Sequence, residues 1–287
     1  MRALGDTLVV ITGAGGGIGR ALAHGFVRRG CKLALLDLDG EAIDGVARSL
    51  REQGAAVSTH VVDVRVRGDL ERARDQILAA HGRVDVLINN AGLTVFASLE
   101  HTSDDEIDRV IAVNLRAVID GCRVFLPALR ERPRAHIVNL SSIAGLAGMP
   151  WQTLYCATKF AVRGFSAALR SELVGQGIGV TCVLPGATRT NIVGVAASRD
   201  LALSSALSRQ LLAYGYPPAW VARKVVRAVR WNWAEVASGP DALLLRVGVR
   251  VAPSLVRGAM RALVWGAGRR AWIGAGEASP AQELEQR

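Results

Sequence analysis

The run Leu8-Val9-Val10-Ile11 is broken by Thr12-Gly13-Ala14-Gly15-Gly16-Gly17-Ile18-Gly19, and a helical pattern then continues through Val27. A strand, a glycine turn and a helix in immediate succession leave few folds open. Gly13 suits a tight turn, Gly17 lets backbone approach a pyrophosphate, and Gly19 lets the helix pack closely on the strand. The first N–H groups of that helix and its dipole favour an anion. Three residues separate Gly13 from Gly17, which departs from G-x-G-x-x-G, so the turn alone is a weak nucleotide signal.

The same unit then repeats. Leu33 to Leu36 ends in Asp37, Ala55 to Val62 ends in Asp63-Val64, and Val84 to Ile88 ends in Asn89-Asn90-Ala91-Gly92, with helical patterns at Glu41 to Gln53 and Asp69 to His81. A long helix is expected over Asp104 to Leu129, then a strand over His136 to Leu140 leading into Ser141-Ser142. A helix within Trp151 to Gly175 precedes a strand over Gly179 to Leu184, closed by Pro185-Gly186-Ala187-Thr188-Arg189-Thr190. Pro218 to Trp231 and Ala234 to Ala237 supply a last helix and strand before Gly239-Pro240. Alternating strands and helices predict an α/β fold of Rossmann type, a doubly wound parallel sheet with helices on both faces and ligands beyond the C-terminal strand ends. Asp37 lies eighteen residues after Gly19, where such folds hold the adenosine ribose hydroxyls, and its charge repels a 2′-phosphate. NAD is therefore expected over NADP. An N-cap for the helix near Glu41 is a second role open to Asp37. Asp63 suits either the adenine amine or a helix cap. Asn114 alone reads as a core amide that must find partners.

Tyr155 and Lys159 stand four apart on one helix face, with Phe160, Ala161, Phe165, Ala168, Leu169 and Leu173 at helical spacing around them. A phenol is a poor proton donor or acceptor near neutral pH, and a nearby ammonium lowers its pKa. The chain carries 35 Lys and Arg, yet only Lys32, Lys159 and Lys224 are lysine. A compact ammonium is thus kept where it differs most from a planar guanidinium. No G-x-S-x-G surrounds Ser141-Ser142, which disfavours a hydrolase nucleophile.

The 287 residues suit one large domain. No cleavable leader precedes Leu8, and Cys31, Cys122, Cys156 and Cys182 lack metal or disulfide spacing, so a cytoplasmic protein without metal is expected. The stretch Ile137 to Thr158 is too polar to span lipid. The net charge of +10 follows heavy arginine use and does not by itself imply nucleic acid.

Thr12-Gly13-x3-Gly17-Ile18-Gly19, Asn89-Asn90-Ala91-Gly92, Asn114, Ser142, Tyr155-x3-Lys159 and Pro185-Gly186, in this order, resemble the short-chain dehydrogenase/reductase family over about residues 5 to 240. The resemblance implies a seven-stranded sheet. It makes Tyr155 the proton exchanger, Lys159 the ribose ligand that lowers the phenol's pKa, Ser142 the holder of the substrate oxygen, and Asn114 the anchor of a relay water. It assigns Gly13, Gly17, Ile18, Gly19 and Asp37 to the cofactor, Asp63 and Val64 to the adenine pocket, and Asn90, Ala91 and Gly92 to the adenosine side of the cleft. Pro185, Gly186, Thr188 and Thr190 fall at the nicotinamide end.

An NAD-dependent oxidoreductase acting on a hydrophobic secondary alcohol or its ketone is expected, of steroid-, retinoid- or lipid-like type. Its pocket would be walled by Leu93, Val95, Phe96, Ile143, Leu146, Met149, Trp151 and an apolar lid over 191–216. The alternative is a non-catalytic dinucleotide-binding regulator on the same fold. Residues 241–287 form a basic extension, with two short helices hinged at Pro253 and Leu243, Leu244 and Val247 on the apolar side. These helices pack either on the body or a second subunit, in a homodimer or homotetramer, or on an anionic membrane through 241–273.

Overall fold

The computed structural model describes residues 3–190, 209 and 212–262. Seven strands make one parallel sheet: β1 (Leu8–Thr12), β2 (Lys32–Asp37), β3 (Val57–Val61), β4 (Val86–Asn89), β5 (Ala135–Leu140), β6 (Ile178–Pro185) and β7 (Glu235–Ser238). Their spatial order is β3-β2-β1-β4-β5-β6-β7. The chain winds outward from β1 in one direction and from β4 in the other, so a crevice opens between these two strand ends.

Each central strand is apolar throughout because both faces are covered. Val9 and Ile11 point into one core with Leu22 and Phe26 of α1 (Gly17–Val27), Ile43 and Leu50 of α2 (Gly40–Arg51), and Val225 and Val229 of α7 (Pro218–Trp231). Leu8 and Val10 point into the other. There they meet Leu70 and Ile77 of α3 (Arg67–His81), Phe125 and Leu129 of α5 (Ala117–Arg130), and Leu169 of α6 (Thr153–Glu172). The expected fold class and strand number are thus observed, with α4 (Asp104–Ile111) and α8 (Pro240–Val251) completing the labelled helices among the described residues.

Local chemistry sets the boundaries. Asp39, not Asp37, caps α2 by accepting the Ala42 N–H at 2.9 Å. Ser103 and Glu106 form a reciprocal capping box on α4, and Gly82 ends α3 in the left-handed conformation. The helix expected over Asp104 to Leu129 is continuous, but Ala112–Arg116 forms a π turn between α4 and α5. Asn114 lies within that turn, buried and bonded to both backbone groups of Leu93, and this tether accounts for the local widening.

The lid expected over 191–216 falls largely outside the described residues, as does the extension beyond 262. Residues 253–262 are helical after Pro253, and Gly248 of α8 approaches Val256. Among the described residues no helix is long and apolar enough to cross a membrane.

At Gly19 of α1 an added Cβ would collide with the Gly13 carbonyl oxygen and stand 2.8 Å from Ala14 Cα. Gly19→Ala should therefore destabilise the protein by about 1–3 kcal/mol through overpacking, visible as a lowered urea midpoint. An unchanged midpoint would mean that α1 slides away from β1 without cost.

Candidate active site

The crevice between β1 and β4 is held shut at its base by polar bonds. Thr12 Oγ1 accepts the Asn90 and Ala91 N–H groups at 3.0 and 3.1 Å, and the Asn90 carboxamide donates to the Thr12 and Gly13 carbonyls at 3.0 and 2.9 Å. Gly13 has φ +64°, and a Cβ there would stand 2.8 Å from Ala91 Cα. Both facts require glycine. Gly16 precedes α1 without a side-chain cap, and the first turn carries no acid, so the donors of Gly17, Ile18 and Gly19 are left for an anion.

The other end of the crevice closes on the same turn. Thr190 lays its methyl 3.0 Å from where a Gly17 Cβ would be. Thr188, buried, donates to the Gly186 carbonyl at 2.9 Å, and the Ala187 N–H donates to Asp241 at 2.7 Å. Pro185 and Gly186 close β6 directly below. Asp37, at the end of β2, accepts the Gly15 N–H at 2.9 Å and so rests against the turn itself. Asp63 is gripped on both oxygens by Arg65, whose hydrogen bond holds its carboxyl below the usual range. It caps no helix, and Val64 beside it packs on the second core.

Lys159 is buried, and its Nζ donates to the Leu140 carbonyl at 3.0 Å while lying 5.5 Å from the centre of the Tyr155 ring. Desolvation pulls its pKa down to about 8. A Cβ on Gly92 would stand 3.3 Å from Asn114 Oδ1 and 3.4 Å from Lys159 Nζ, so ammonium and amide converge on one bare backbone point. Tyr155 differs from expectation. Burial pushes its phenol above the ordinary value, a hydrogen bond with Ser142 opposes this, and the lysine does not reverse it. The ammonium lies across the ring and points at a carbonyl, which accounts for the difference.

Ser142 and Ser141 separate cleanly. Ser141 Oγ donates to the Lys159 carbonyl at 2.7 Å and is spent on the α6 backbone, whereas Ser142 accepts the Ala144 N–H at 3.1 Å and meets Tyr155. Gly145 permits this approach, since a Cβ there would stand 2.6 Å from Ser141 Oγ. Trp151, just before α6, is left-handed at φ +58° and gives its carbonyl to the Ala97 N–H at 3.1 Å. Of the expected pocket wall, Leu146 instead packs with Cys182, Leu184 and Leu245 of α8.

Several contributors escaped the sequence reading. Thr12 was legible only as part of the turn, yet its hydroxyl joins both strand ends. Asn89 donates to Asn139 at 2.9 Å, and Asn139 to Ser166 of α6 at 3.0 Å, a buried chain from β4 through β5 to that helix. Paired asparagines at the ends of two predicted strands were the available signal.

A switch-point crevice with a bare helix N-terminus, a carboxylate resting against the glycine turn and a Ser–Tyr–Lys cluster is the arrangement a dinucleotide-dependent oxidoreductase needs. Residues 7–200 match the family model described as short chain dehydrogenase, and the chain belongs to that family. It is 35% identical over 266 residues to the probable oxidoreductase EphD of Mycobacterium tuberculosis, covering 90% of this chain and 45% of that protein. The chain thus spans about half the length of that relative. It is 35% identical over 189 residues to human estradiol 17-beta-dehydrogenase 11, covering 65% of this chain and 63% of that protein. A short chain dehydrogenase/reductase from Burkholderia phymatum, solved in complex with NAD, superposes with a TM-score of 0.83 at 30% identity over 90% of this chain and 96% of that one.

Lys159 ionisation gives a direct check. Because burial lowers the folded pKa to about 8 from 10.5, the folded state resists protonation, and the penalty present below pH 8 is relieved as pH rises toward 10.5. NMR of 13Cε-labelled lysine on the cofactor-free protein should show a Lys159 midpoint near 8. A midpoint at the ordinary lysine value would mean that the ammonium is solvated.

Proposed function

We propose that this chain is an NAD-dependent oxidoreductase that interconverts a hydrophobic secondary alcohol and its ketone. The carrying observation is the convergence of Ser142, Tyr155, Lys159 and Asn114 on the crevice beside the glycine turn. Ser142 holds the substrate oxygen, and Tyr155 exchanges the proton with it. Lys159 keeps a positive charge beside the phenol and binds the nicotinamide ribose. Asn114, locked by Leu93, anchors the water that relays the proton onward from Lys159. The nicotinamide, when bound, supplies or accepts the hydride. Neutral phenol is the form needed to reduce a ketone and phenolate the form needed to oxidise an alcohol. A phenol pushed above its ordinary value therefore favours oxidation at rising pH.

Gly13, Gly17, Ile18 and Gly19 hold the pyrophosphate, and Asp37 the adenosine ribose. Asp63 and Val64 line the adenine, Asn90, Ala91 and Gly92 the adenosine side, and Pro185, Gly186, Thr188 and Thr190 the nicotinamide. Leu93, bonded to Asn114, and Ile143, next to Ser142, favour an apolar substrate, and the likeness to estradiol 17-beta-dehydrogenase 11 supports a steroid-like one. A panel of hydrophobic secondary alcohols and ketones, followed by NAD(H) absorbance, tests this; turnover confined to charged metabolites would overturn it.

Tyr155→Phe keeps the ring and removes the exchangeable proton, so turnover should fall by about 10²–10⁴-fold while cofactor affinity is retained. A near-normal rate would discard the proton-exchange role. Asp37→Ala removes charge-assisted bonds worth about 1.5–3 kcal/mol each. It should weaken NAD(H) binding about tenfold or more and narrow the gap to NADP(H). Equal wild-type efficiency with both cofactors would contradict the assignment.

The α8 helix packs its Ala242 and Leu245 inward and exposes Leu243, Leu244 and Val247 beside Arg250 and the following Arg257. This basic apolar face supports peripheral contact with an anionic membrane. Co-sedimentation with anionic liposomes at low salt should carry down the full chain. If it stays in the supernatant, the face belongs to a second subunit of a homodimer or homotetramer.

A further inference from the structure

On the α1/α7 side of the sheet the two helices pack closely. A Cβ added to Gly25 would stand 3.3 Å from Ala222 Cβ and 3.6 Å from Val226 Cγ2. The close approach brings the C-terminal end of α1 beside the outer face of α7. Between them lies a groove of about 270 Å³ lined by Gly25, Arg28, Arg29, Arg223, Val226 and Arg227. All four arginines are exposed, and among the described residues none pairs with a carboxylate.

Their isolation from acids is written in the sequence. From Gly13 to Cys31 and from Pro217 to Ala234 there is no Asp or Glu, while Arg20, Lys224 and Arg230 add to the four groove arginines. Where acids are at hand, arginine takes them: Arg83 and Arg132 hold Asp85, Arg116 holds Asp120, and Arg163 and Arg246 share Glu235. The local field is felt by His24 on α1, which is held below its ordinary pKa by burial first and then by Arg28 and Arg20. Four guanidinium groups around one groove repel one another unless a counter-charge sits among them. Planar forks with several N–H donors each match the oxygens of a phosphoryl group. Gly25 and Val226 give the floor no competing acceptor side chain.

We propose that the groove between α1 and α7 binds a phosphoryl dianion, carried either by a free phosphorylated small molecule or by a phospholipid headgroup. Arg28 and Arg29 close on it from the turn after α1, Arg223 and Arg227 from α7. It is a second anion site, separate from the glycine turn and independent of the oxidoreductase reading.

The probe is inorganic pyrophosphate, titrated by calorimetry and thermal shift at constant ionic strength against chloride. Wild type should bind saturably and melt higher with ligand. Arg223→Gln/Arg227→Gln should bind about tenfold more weakly for each arginine removed. Because the glycine turn is intact in this variant, the loss reports the groove alone. Arg109→Gln/Arg123→Gln, with the same change in charge on α4 and α5, should bind as wild type does. Without ligand at low salt, the groove variant should melt no lower than wild type, since removing like charges relieves repulsion, and this separates lost binding from misfolding. Vesicles containing phosphatidic acid identify the source. If the groove variant loses a wild-type preference for these vesicles over phosphatidylserine vesicles of equal charge, which report the α8 face, the headgroup is the ligand; if that preference is unchanged and pyrophosphate binding is lost, a free phosphate is. The proposal is overturned if pyrophosphate acts no differently from chloride, if the groove variant binds it as wild type does, which would place the ion on the glycine turn, or if both double variants lose binding equally.

Discussion

The constraint on which this structure depends is the absence of side chains where β1 hands over to α1. Gly13 lies under Ala91, Gly19 lies against the Gly13 carbonyl, and Gly15 lies against Asp37 and Ala42. The contacts of Gly13 and Gly19 are to backbone and those of Gly15 to side chains, and a methyl group at any of the three meets an atom at 2.8 Å or less. Close approach brings the N-terminus of α1 to the mouth of the crevice, and Thr12 and Asn90 hold the two strand ends together at its base. Everything beyond is arranged around a gap whose dimensions the glycines set.

The opposite wall is organised by a buried charge. Removing the Lys159 ammonium from water is costly unless it is partnered, and the Leu140 carbonyl is its direct partner. That carbonyl is available because β5 ends there, and Ser141 immediately anchors the α6 backbone. The π turn at Asn114 belongs to the same arrangement. A regular helix over Asp104 to Leu129 would not need five residues in a widened turn; the bonds from Asn114 to both backbone groups of Leu93 do. The loop after β4 is thereby tied to the helix opposite, and Gly92 lies between amide and ammonium.

Much of this was legible in sequence because its signals are local. Parallel strands covered on both faces read as apolar runs, and their ends at Asp37, Asn90, Ser142 and Pro185 marked the side of the sheet where ligands bind. What was not legible depends on contacts between distant segments. Asp37 and Asp39 are equally acidic, and only the approach of Gly15 decides that Asp37 faces the turn while Asp39 caps α2. A Tyr–Lys spacing of four implied a lowered phenol pKa, but the depth of burial and the direction of Nζ, which decide its sign, are tertiary facts. The groove arginines are separated by nearly two hundred residues and came together only when α1 packed on α7.

The extension illustrates how a segment outside the matched region becomes part of the site. Asp241, second residue of α8, accepts the Ala187 N–H and lies between Gly186 and Gly239, both of which would collide with its carboxylate if they carried a Cβ. Its Oδ1 has no partner among the described residues, an uncommon state for a buried carboxylate oxygen. The Gly186 N–H bonds the Ser238 carbonyl, so the loop is held from β7 and α8 together. Leu245, one turn further along α8, then joins Leu146, Cys182 and Leu184 under the crevice. The loop that closes β6 therefore takes its shape from a helix that begins after the last strand. Removing that helix would free the Ala187 N–H and uncover the apolar floor in the same step.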